Sequence, residues 1–418
     1  MQLRSNEKII NILEKTMNHM DSRLIDHGKR VSYLMFKILE PLHKYDDKQL
    51  RDICILTMLH DVGAYKTEEI DRMVVFETVD IWEHSIYGYL FLKFFSPLKE
   101  MAQAVLFHHV EYNKMPQINP ELQFLAQMIS FCDRADIYAL QKRDEDFRKH
   151  IEKYRNNKYR DDIIDLFLAS NIDICSVYDG MYSDETFNNI FYGTPLTVDE
   201  VSGYLEMIIF SIDFRSSQTV IHTVTTICIA VYLAGLLGAD ENDIPKIRTG
   251  AMLHDIGKIG IPVNILESTE KLNDSDMRIM RSHVEITEKI LDGNVDDDIR
   301  NIACRHHEKL DGSGYPKKLT ARDITLYERI MAIADIFSAL CGRRNYKDPF
   351  PKEKITRILN DMSGQLIDRQ IVKLAIDHYD DILEIIETEA LPVIQNYNSI
   401  NEEFIQLKKE IETKYMAA

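Results

Sequence analysis

One ordered set of histidine and aspartate residues occurs twice in this chain, and each member of the second copy follows its counterpart by about 200 residues. The first copy consists of His27, His60, Asp61, His84, His108, His109 and Asp133, and the second of His222, His254, Asp255, His283, His306, His307 and Asp335. Together these positions hold ten of the 14 histidines. Seven potential metal ligands repeated in one order indicate an internal duplication in which each half builds its own site.

Apolar residues recur in both halves at the spacing of an amphipathic helix. Val31, Leu34 and Ile38 follow this spacing in the first half, and Ile299, Ile302 and His306 follow it in the second. Strict alternation of apolar and polar residues is rare, and glycine and proline contribute only 16 and 11 of the 418 residues. The pattern predicts an all-α protein made of two tandem helical bundles.

Local composition suggests where the two bundles begin and end. Glycine, proline, aspartate and serine gather in residues 171–196, which predicts a linker between a first domain at 1–170 and a second at 197–380. Thr197 and Glu200 have the spacing of a capping box that opens the next helix. Residues 381–418 continue as a charged helical tail.

The charge balance limits the partners of the chain. Its 68 acidic and 50 basic residues give a formal net charge of −18, which argues against binding to long nucleic acids, because that binding depends on lysine and arginine. An uninterrupted apolar run of about 18 residues is absent from the sequence, and the first residues carry charges throughout. We therefore expect a cytoplasmic protein without membrane insertion, whose oligomeric state the sequence leaves open.

The repeated residues are suited to binding transition metals. Imidazole and carboxylate groups bind first-row metals well, and five histidines with two aspartates exceed the needs of one tetrahedral zinc ion. They suit two neighbouring metals, with Asp255 beside His254 placed to bridge them. His306 and His307 are consecutive and can both face one site only where a helix ends, and the glycines and proline that follow predict such an end.

Two metals that clamp an in-line displacement at phosphorus form a recurring hydrolytic arrangement. The sequence contains neither a recognisable serine or cysteine nucleophile motif nor a phosphate-binding loop of the G-x-x-x-x-G-K-[ST] type. Metal-assisted phosphoester hydrolysis is therefore the reaction class that the residues favour.

Longer motifs in the second half carry a family resemblance. HDIGKIGIP (254–262), His283, HHEKLDGSGYP (306–316), ERIMAIADIFSAL (328–340) and Arg344-x-Tyr346 together resemble an HD-GYP domain of the HD phosphohydrolase superfamily. The resemblance implies a helical bundle with a two- or three-metal centre, often of iron or manganese. It also implies hydrolysis of cyclic di-GMP to pGpG or GMP, with related cyclic dinucleotides as substrates of some members.

The resemblance assigns roles to individual positions. The seven histidines and aspartates of the second copy become metal ligands, and Asp255 and Lys258 become catalytic, with Lys258 also meeting a substrate phosphate. Tyr315 would line the nucleotide pocket, and Arg344 and Lys347 would contact phosphate. Glu308 and Asp311 are expected to brace the loop.

Three departures from the family pattern stand out in the second half. Gln218 occupies the position of a glutamate that binds a third metal in some members, so we expect two metals in this half. Ser338 and Thr225 stand where the family has an aspartate and an arginine. We expect these changes to affect substrate affinity and choice more than metal binding.

The first half resembles the HD superfamily but has lost the GYP motif. Ala64 replaces the lysine that follows the His-Asp pair, and HHVEYNKMP (108–116) lacks the DGxGYP sequence. All seven ligands of the first copy are nevertheless present and predict a second candidate metal centre. Its role, whether catalytic, sensory or structural, stays open at this point.

The leading hypothesis is a metal-dependent phosphodiesterase whose second half hydrolyses cyclic di-GMP or a related cyclic dinucleotide with a hydroxide activated by two metals. A general nucleotide phosphohydrolase of the same superfamily is the alternative among enzymes. The alternative outside enzymes is a signalling protein that binds the dinucleotide, or a diguanylate cyclase partner through the GYP loop, without catalysis.

Overall fold

A computed structural model of the protein describes residues 6–20, 26–64, 82–141, 146–214, 217–268, 270–341 and 350–416. Within these ranges the chain is built from α-helices, short 3-10 helices and one π-helical segment, Glu412–Met416, with isolated β-bridges and no strand. The prediction of an all-α fold is confirmed.

Twenty α-helices succeed one another along the described residues. The first half contains α1 Asn6–Asn18, α2 His27–Leu39, α3 Asp47–Met58, α4 Glu83–Phe95, α5 Ala102–Leu106, α6 Pro120–Leu140, α7 Phe147–Glu152, α8 Asp161–Ser170 and α9 Glu185–Phe191. The second half contains α10 Val198–Asp213, α11 Ser217–Leu236, α12 Asp243–Leu253, α13 Val263–Leu266, α14 Asp274–Arg281, α15 His283–Leu291, α16 Asp297–Cys304, α17 Leu326–Cys341, α18 Lys352–Met362, α19 Arg369–Asp377 and α20 Tyr379–Ile411.

The chain folds into two compact units. The described residues of 5–211 and 400–418 form the first unit, and residues 212–399 belong to the second unit. In the first unit α2 packs against α3 and α6, and in the second α11 packs against α12 and α17. In each unit one helix thus packs against the next α-helix and against a later helix that carries the last aspartate of the set, as the internal repeat predicts.

The structure places the boundary later than the composition of the sequence suggests. Residues 171–196 do not form a linker: they hold α9 and the 3-10 helix Val177–Ser183 within the first unit. Phe187 of α9 is fully buried, with its ring edge-on to Tyr33. The polar residues of this segment act as helix caps, since the Asp184 side chain accepts a hydrogen bond from the Phe187 backbone N–H. The boundary falls inside α10, whose predicted capping box is confirmed.

The C-terminal segment is helical, as predicted, but it is part of both cores rather than a separate tail. Tyr397 packs against the Phe214 ring in the second unit. Beyond residue 399, Phe404 stacks on Tyr87 at 4.1 Å between ring centroids in the first unit. Ion pairs of Lys93 with Glu403 and of Lys408 with Glu83 support the same packing.

One helix has the length and apolar content of a membrane span. The window Thr219–Leu236 in α11 has a mean hydropathy of 1.8, although polar residues interrupt it. Half of the window is buried in the structure, and the helix packs against α12 and α17 in the core of the second unit. These contacts are those of a buried core helix.

Candidate metal centres

Helix ends position most of the repeated ligands of the second unit. His254 caps the end of α12 and Asp255 follows it, while His283 is the first residue of α15. The helix α16 ends at Cys304, so His306 and His307 lie just beyond it, as predicted from the glycines that follow. The remaining two ligands, His222 and Asp335, lie within α11 and α17, which pack together.

The seven ligands converge and fall largely into two groups. His222, His254 and Asp255 form one group and His283, His306 and His307 the other, and within each group the potential ligand atoms lie within 4.8 Å of one another.

Asp255 joins the two groups. Its Oδ2 lies 3.1 Å from His254 Nε2, and its Oδ1 lies 3.4 Å from His283 Nε2. One carboxylate therefore faces both groups, the arrangement expected of a bridging ligand.

Asp335 completes the cluster from the opposite side. Its Oδ1 lies 3.2 Å from His222 Nε2 and its Oδ2 lies 3.7 Å from His307 Nδ1. Both aspartates thus present their two oxygens to different histidines, and the sequence order alone did not specify this geometry.

Backbone carbonyls orient three of the histidines. The Nδ1–H groups of His254, His283 and His306 donate to the carbonyl oxygens three residues earlier, at 2.7, 2.7 and 2.6 Å. Because a carbonyl only accepts, each neutral ring keeps the lone pair of Nε2 available for a metal. The Nε2 of His254 is buried and has no hydrogen-bond partner among the described residues, so a cation fits this position.

The protonation states also suit metal binding. Burial lowers the pKa of His307 to about 4 and the pKa of His306 well below its ordinary value. Burial opposes the charged form of Asp255, but His254 and Lys258 outweigh it and keep the pKa of this carboxyl well below its usual range. The neutral imidazoles of His306 and His307 and the ionised carboxylates of Asp255 and Asp335 are donors that fit divalent transition metals near pH 7.

The Lys258 side chain contacts the same cluster. It belongs to the 3-10 helix Ile256–Gly260, and its Nζ donates to Asp255 Oδ2. Its ammonium group is therefore held at the carboxylate that faces both histidine groups. The predicted pairing of this lysine with the cluster is present.

The loop after His307 forms one wall of the site. The Tyr315 ring packs against the His307 ring with 4.7 Å between centroids. The buried Glu308 carboxylate accepts hydrogen bonds from the backbone N–H groups of Lys317 and Leu319 and so braces the loop, as expected. Asp311 likewise accepts from the backbone and hydroxyl of Ser313.

Sequence reasoning missed Arg281. Its guanidinium group lies over the Tyr315 ring, 4.9 Å from the centroid, and the side chain is exposed. Its position at the end of α14, two residues before His283, was the signal available in the sequence. The two other predicted phosphate contacts, Arg344 and Lys347, lie outside the described residues.

Two of the three departures from the family pattern, Thr225 and Ser338, lie next to each other. Ser338 Oγ is 2.9 Å from His222 Nδ1 and hydrogen bonds to the Thr225 hydroxyl. In the first unit, the Asp136 carboxylate accepts from His27 Nδ1 at 2.8 Å and is held by two hydrogen bonds from Arg30. A neutral hydroxyl pair in the second unit therefore occupies the place of an ion pair in the first.

The first unit brings its own seven residues together in the same arrangement. Asp61 Oδ2 lies 3.3 Å from His60 Nε2, and Asp61 Oδ1 lies 3.6 Å from His84 Nε2. His60 and His108 donate through Nδ1 to backbone carbonyls, and their buried Nε2 atoms have no hydrogen-bond partner within the described ranges. This unit has a fully buried Ala64 at the position of Lys258.

Comparisons with known proteins find most of the similarity in the second half of the chain. Residues 205–371 match the family model for the HD domain. The chain is 37% identical over 178 residues to the 3'3'-cGAMP-specific phosphodiesterase 2 of Vibrio cholerae, an alignment that covers 42% of this chain and 34% of that protein. It is 34% identical over 188 residues to the cyclic di-GMP phosphodiesterase of Thermotoga maritima, covering 44% and 51% of the two chains.

Similarity also extends across both units. The 3'3'-cGAMP-specific phosphodiesterase 1 of Vibrio cholerae is 25% identical over 376 residues, which cover 83% of this chain and 85% of that protein. A crystal structure of a cyclic GMP-AMP-specific phosphodiesterase of Vibrio cholerae superposes with a TM-score of 0.56 at 17% identity, covering 89% of this chain and 97% of the other. This structural similarity shows that the helical fold is shared.

Proposed function

We propose that the second unit, which matches the HD domain model and carries the HD-GYP motifs, is a metal-dependent phosphodiesterase that hydrolyses a cyclic dinucleotide. Alignments with two of the relatives named above span only about one third and one half of those proteins. The proposal therefore concerns the reaction of this unit, at the centre built around Asp255.

One observation carries the proposal. The Asp255 carboxylate faces a histidine group with each of its oxygens, at 3.1 and 3.4 Å, and also accepts a hydrogen bond from Lys258. Candidate ligands for two metal ions and the Lys258 ammonium group thus meet at the Asp255 carboxylate. Such a concentration of positive charge suits a substrate whose reacting group is an anionic phosphodiester.

Two divalent metals, when bound, would supply Lewis acidity and lower the pKa of a water molecule. The residues that would hold them are the two histidine groups, Asp255 and Asp335. In this proposal Lys258 would bind a non-bridging phosphate oxygen and donate a proton to the oxygen of the leaving group, because its ammonium carries three donors. We expect iron or manganese, since histidine and carboxylate ligands accept both.

The rim of the site suits a nucleotide. The exposed Arg281 guanidinium above the half-buried Tyr315 ring offers a planar cation, supported by an aromatic ring, at the edge of the cluster. A guanidinium binds phosphate and its plane can stack on a nucleobase, so the pair supports a dinucleotide rather than a simple phosphate ester. Relatives named for cyclic di-GMP and for 3'3'-cGAMP make these two compounds the substrates to compare, with linear pNpN or mononucleotides as products.

The matched test uses the internal repeat. The full chain would be purified anaerobically, loaded with Fe²⁺ or Mn²⁺ and incubated with cyclic di-GMP or 3'3'-cGAMP, beside the variants Asp255→Asn and Asp61→Asn. These two substitutions change the same atom at the same position of each unit. We expect Asp255→Asn to lose at least 100-fold in turnover and Asp61→Asn to keep most of it, because only the second unit has Lys258 and the GYP loop.

Other outcomes would redirect the assignment. Turnover confined to linear nucleotides would identify a general nucleotide phosphohydrolase. Tight binding of a cyclic dinucleotide without product from metal-replete protein would identify a signalling protein, and a diguanylate cyclase would then be the partner to test at the GYP loop. We place the protein in the cytoplasm, where such signalling nucleotides are made.

A further inference from the structure

In each unit a basic side chain contacts an aspartate of the cluster. The aspartate contacted is the one in the His-Asp pair in the second unit and the last one of the set in the first unit. In the second unit Lys258 hydrogen bonds to Asp255, the residue that follows His254. In the first unit Ala64 takes the place of Lys258. The cation there is Arg134, whose Nε lies 3.3 Å from the Oδ2 of Asp133 and which is only 4% exposed.

Arg134 also contacts a second member of the cluster. Its Nη2 lies 3.2 Å from Nδ1 of His109. A guanidinium carries only donors and keeps its charge in proteins, so Nδ1 of His109 must accept this hydrogen bond. In the neutral ring the remaining hydrogen is then on Nε2, which lies 3.1 Å from Nε2 of His84.

Two members of the histidine group, His84 and His109, are therefore hydrogen-bonded to each other, and only His108 keeps a buried Nε2 without a hydrogen-bond partner among the described residues. His109 donates through Nε2 to His84, so the two lone pairs that would hold a metal there are used in one hydrogen bond. A divalent ion at this position would also lie beside a buried guanidinium, and two like charges in a poorly solvated site repel strongly.

The second unit has no such arrangement at the equivalent position. Ile336 follows Asp335 where Arg134 follows Asp133, and it packs against the hydrophobic core. His307 instead turns its Nδ1 toward Asp335 at 3.7 Å and its ring toward Tyr315. At the position after the last aspartate, the units therefore differ by Arg134 in the first and Ile336 in the second.

Four ligands of the first unit remain available. His27 Nε2 lies 3.4 Å from Asp133 Oδ1 and 3.8 Å from Asp61 Oδ2, and His60 Nε2 lies 3.3 Å from the same Asp61 oxygen. The Nε2 atom of His60 is buried and lacks a hydrogen bond to any described residue. Two imidazoles and two carboxylates form a complete donor set for one divalent ion.

We propose that the first unit binds a single divalent metal ion through His27, His60, Asp61 and Asp133, and that Arg134 takes the place of the second ion. The proposal narrows the predicted set of seven ligands in that unit to four, since His84, His108 and His109 are left without an ion. The guanidinium supplies one of the positive charges that the second ion would bring.

The test counts metal ions and requires no activity. The second centre would be disabled in the full chain by Asp255→Ala and His306→Ala, and the protein would be loaded with Mn²⁺ alone and dialysed. Metal analysis should then give about one Mn²⁺ per chain, with the six-line electron paramagnetic resonance spectrum of an isolated ion. Two ions per chain or none would overturn the proposal. The measurement is made with Arg134 intact, so it does not depend on how an Arg134 variant folds.

Variants of the same background locate the ion and test the guanidinium. His60→Ala should abolish binding; a retained ion would refute the location. Arg134→Ile, which copies the second unit, should raise the count to about two with a spin-coupled spectrum, whereas Arg134→Lys should keep it at one. A folded Arg134→Ile variant that still binds one ion would refute the role of the guanidinium.

Discussion

Gly257 packs so closely against His283 that a Cβ atom on Gly257 would lie 2.0 Å from the His283 carbonyl oxygen. The repeat has the same contact in the first unit, where a Cβ on Gly63 would lie 2.1 Å from the carbonyl oxygen of His84. In both units, a glycine two residues after the aspartate lets the helix that carries the third histidine approach the cluster. The glycine of the His-Asp-x-Gly motif is thus required by space, and not by an unusual φ angle.

Gly257→Ala should therefore separate α15 from the segment that carries Asp255. Because the obstacle is backbone, the helix must move, and we expect a loss of about 1–3 kcal/mol in the free energy of unfolding or more, together with weaker metal binding at the second centre. Chemical denaturation and metal analysis measure these effects. Gly235→Ala is the control, since nothing lies within 4 Å of a Cβ there; equal stability of the two variants would contradict the role of the contact.

Lys258→Met should lower kcat about 100-fold or more, as expected when a group that transfers a proton or neutralises a phosphate is lost. The metal content should stay unchanged, because Lys258 is not a ligand. Lys373→Met is a matched control in the same unit, where the lysine is mostly exposed and pairs with Asp377. Steady-state kinetics that leave kcat of Lys258→Met at the control value would remove Lys258 from the reaction.

Substitutions of Arg281 and Tyr315 should act on substrate binding. Arg281→Ala should raise KM several-fold with a smaller change in kcat, whereas Arg278→Ala, an exposed arginine one turn earlier on the same helix, should have no effect. Tyr315→Phe should behave like the wild type and Tyr315→Ala should raise KM, because the described contacts are made by the aromatic ring and not by the hydroxyl. A normal KM for Arg281→Ala and Tyr315→Ala would exclude this rim as the nucleotide contact.

Thr225 and Ser338 should be replaceable by the arginine and aspartate of the first unit only when both are changed together. Ser338→Asp alone places a carboxylate at a residue that is 1% exposed, beside His222 but without an arginine partner, and we expect it to cost about 2 kcal/mol or more in the free energy of unfolding. Adding Thr225→Arg restores the ion pair that Arg30 and Asp136 form in the first unit and should recover much of this loss. Thermal denaturation of the single and double variants tests the coupling; a double variant no more stable than Ser338→Asp would disprove it.

Local sequence signals predicted where several of the candidate ligands lie relative to the helix ends. The glycines after His307 and the end of the apolar pattern before His254 mark helix ends, and helix ends are local features set by a few neighbouring residues. The structure has α16 ending at Cys304 and α12 at Leu253, where these signals place the paired ligands. The duplication of the set likewise follows from the order of residues alone.

The boundary between the units was not predictable in the same way. Composition suggested residues 171–196 as a linker, yet Phe187 is buried there and α10 runs on to Asp213. Which unit a helix packs against depends on distant apolar partners, and residues such as Phe404 find theirs on Tyr87, far away in the chain.

The sequence by itself determined that this protein is helical, that it contains two copies of one ligand set, and which residues of the second copy converge. Only the tertiary structure decided that Asp335 faces both His222 and His307 and that Arg281 lies over Tyr315. It also decided that Arg134 lies against His109 and Asp133. Arginine side chains are long and end in a charge that is stable only beside suitable partners, so their positions depend on how remote helices pack.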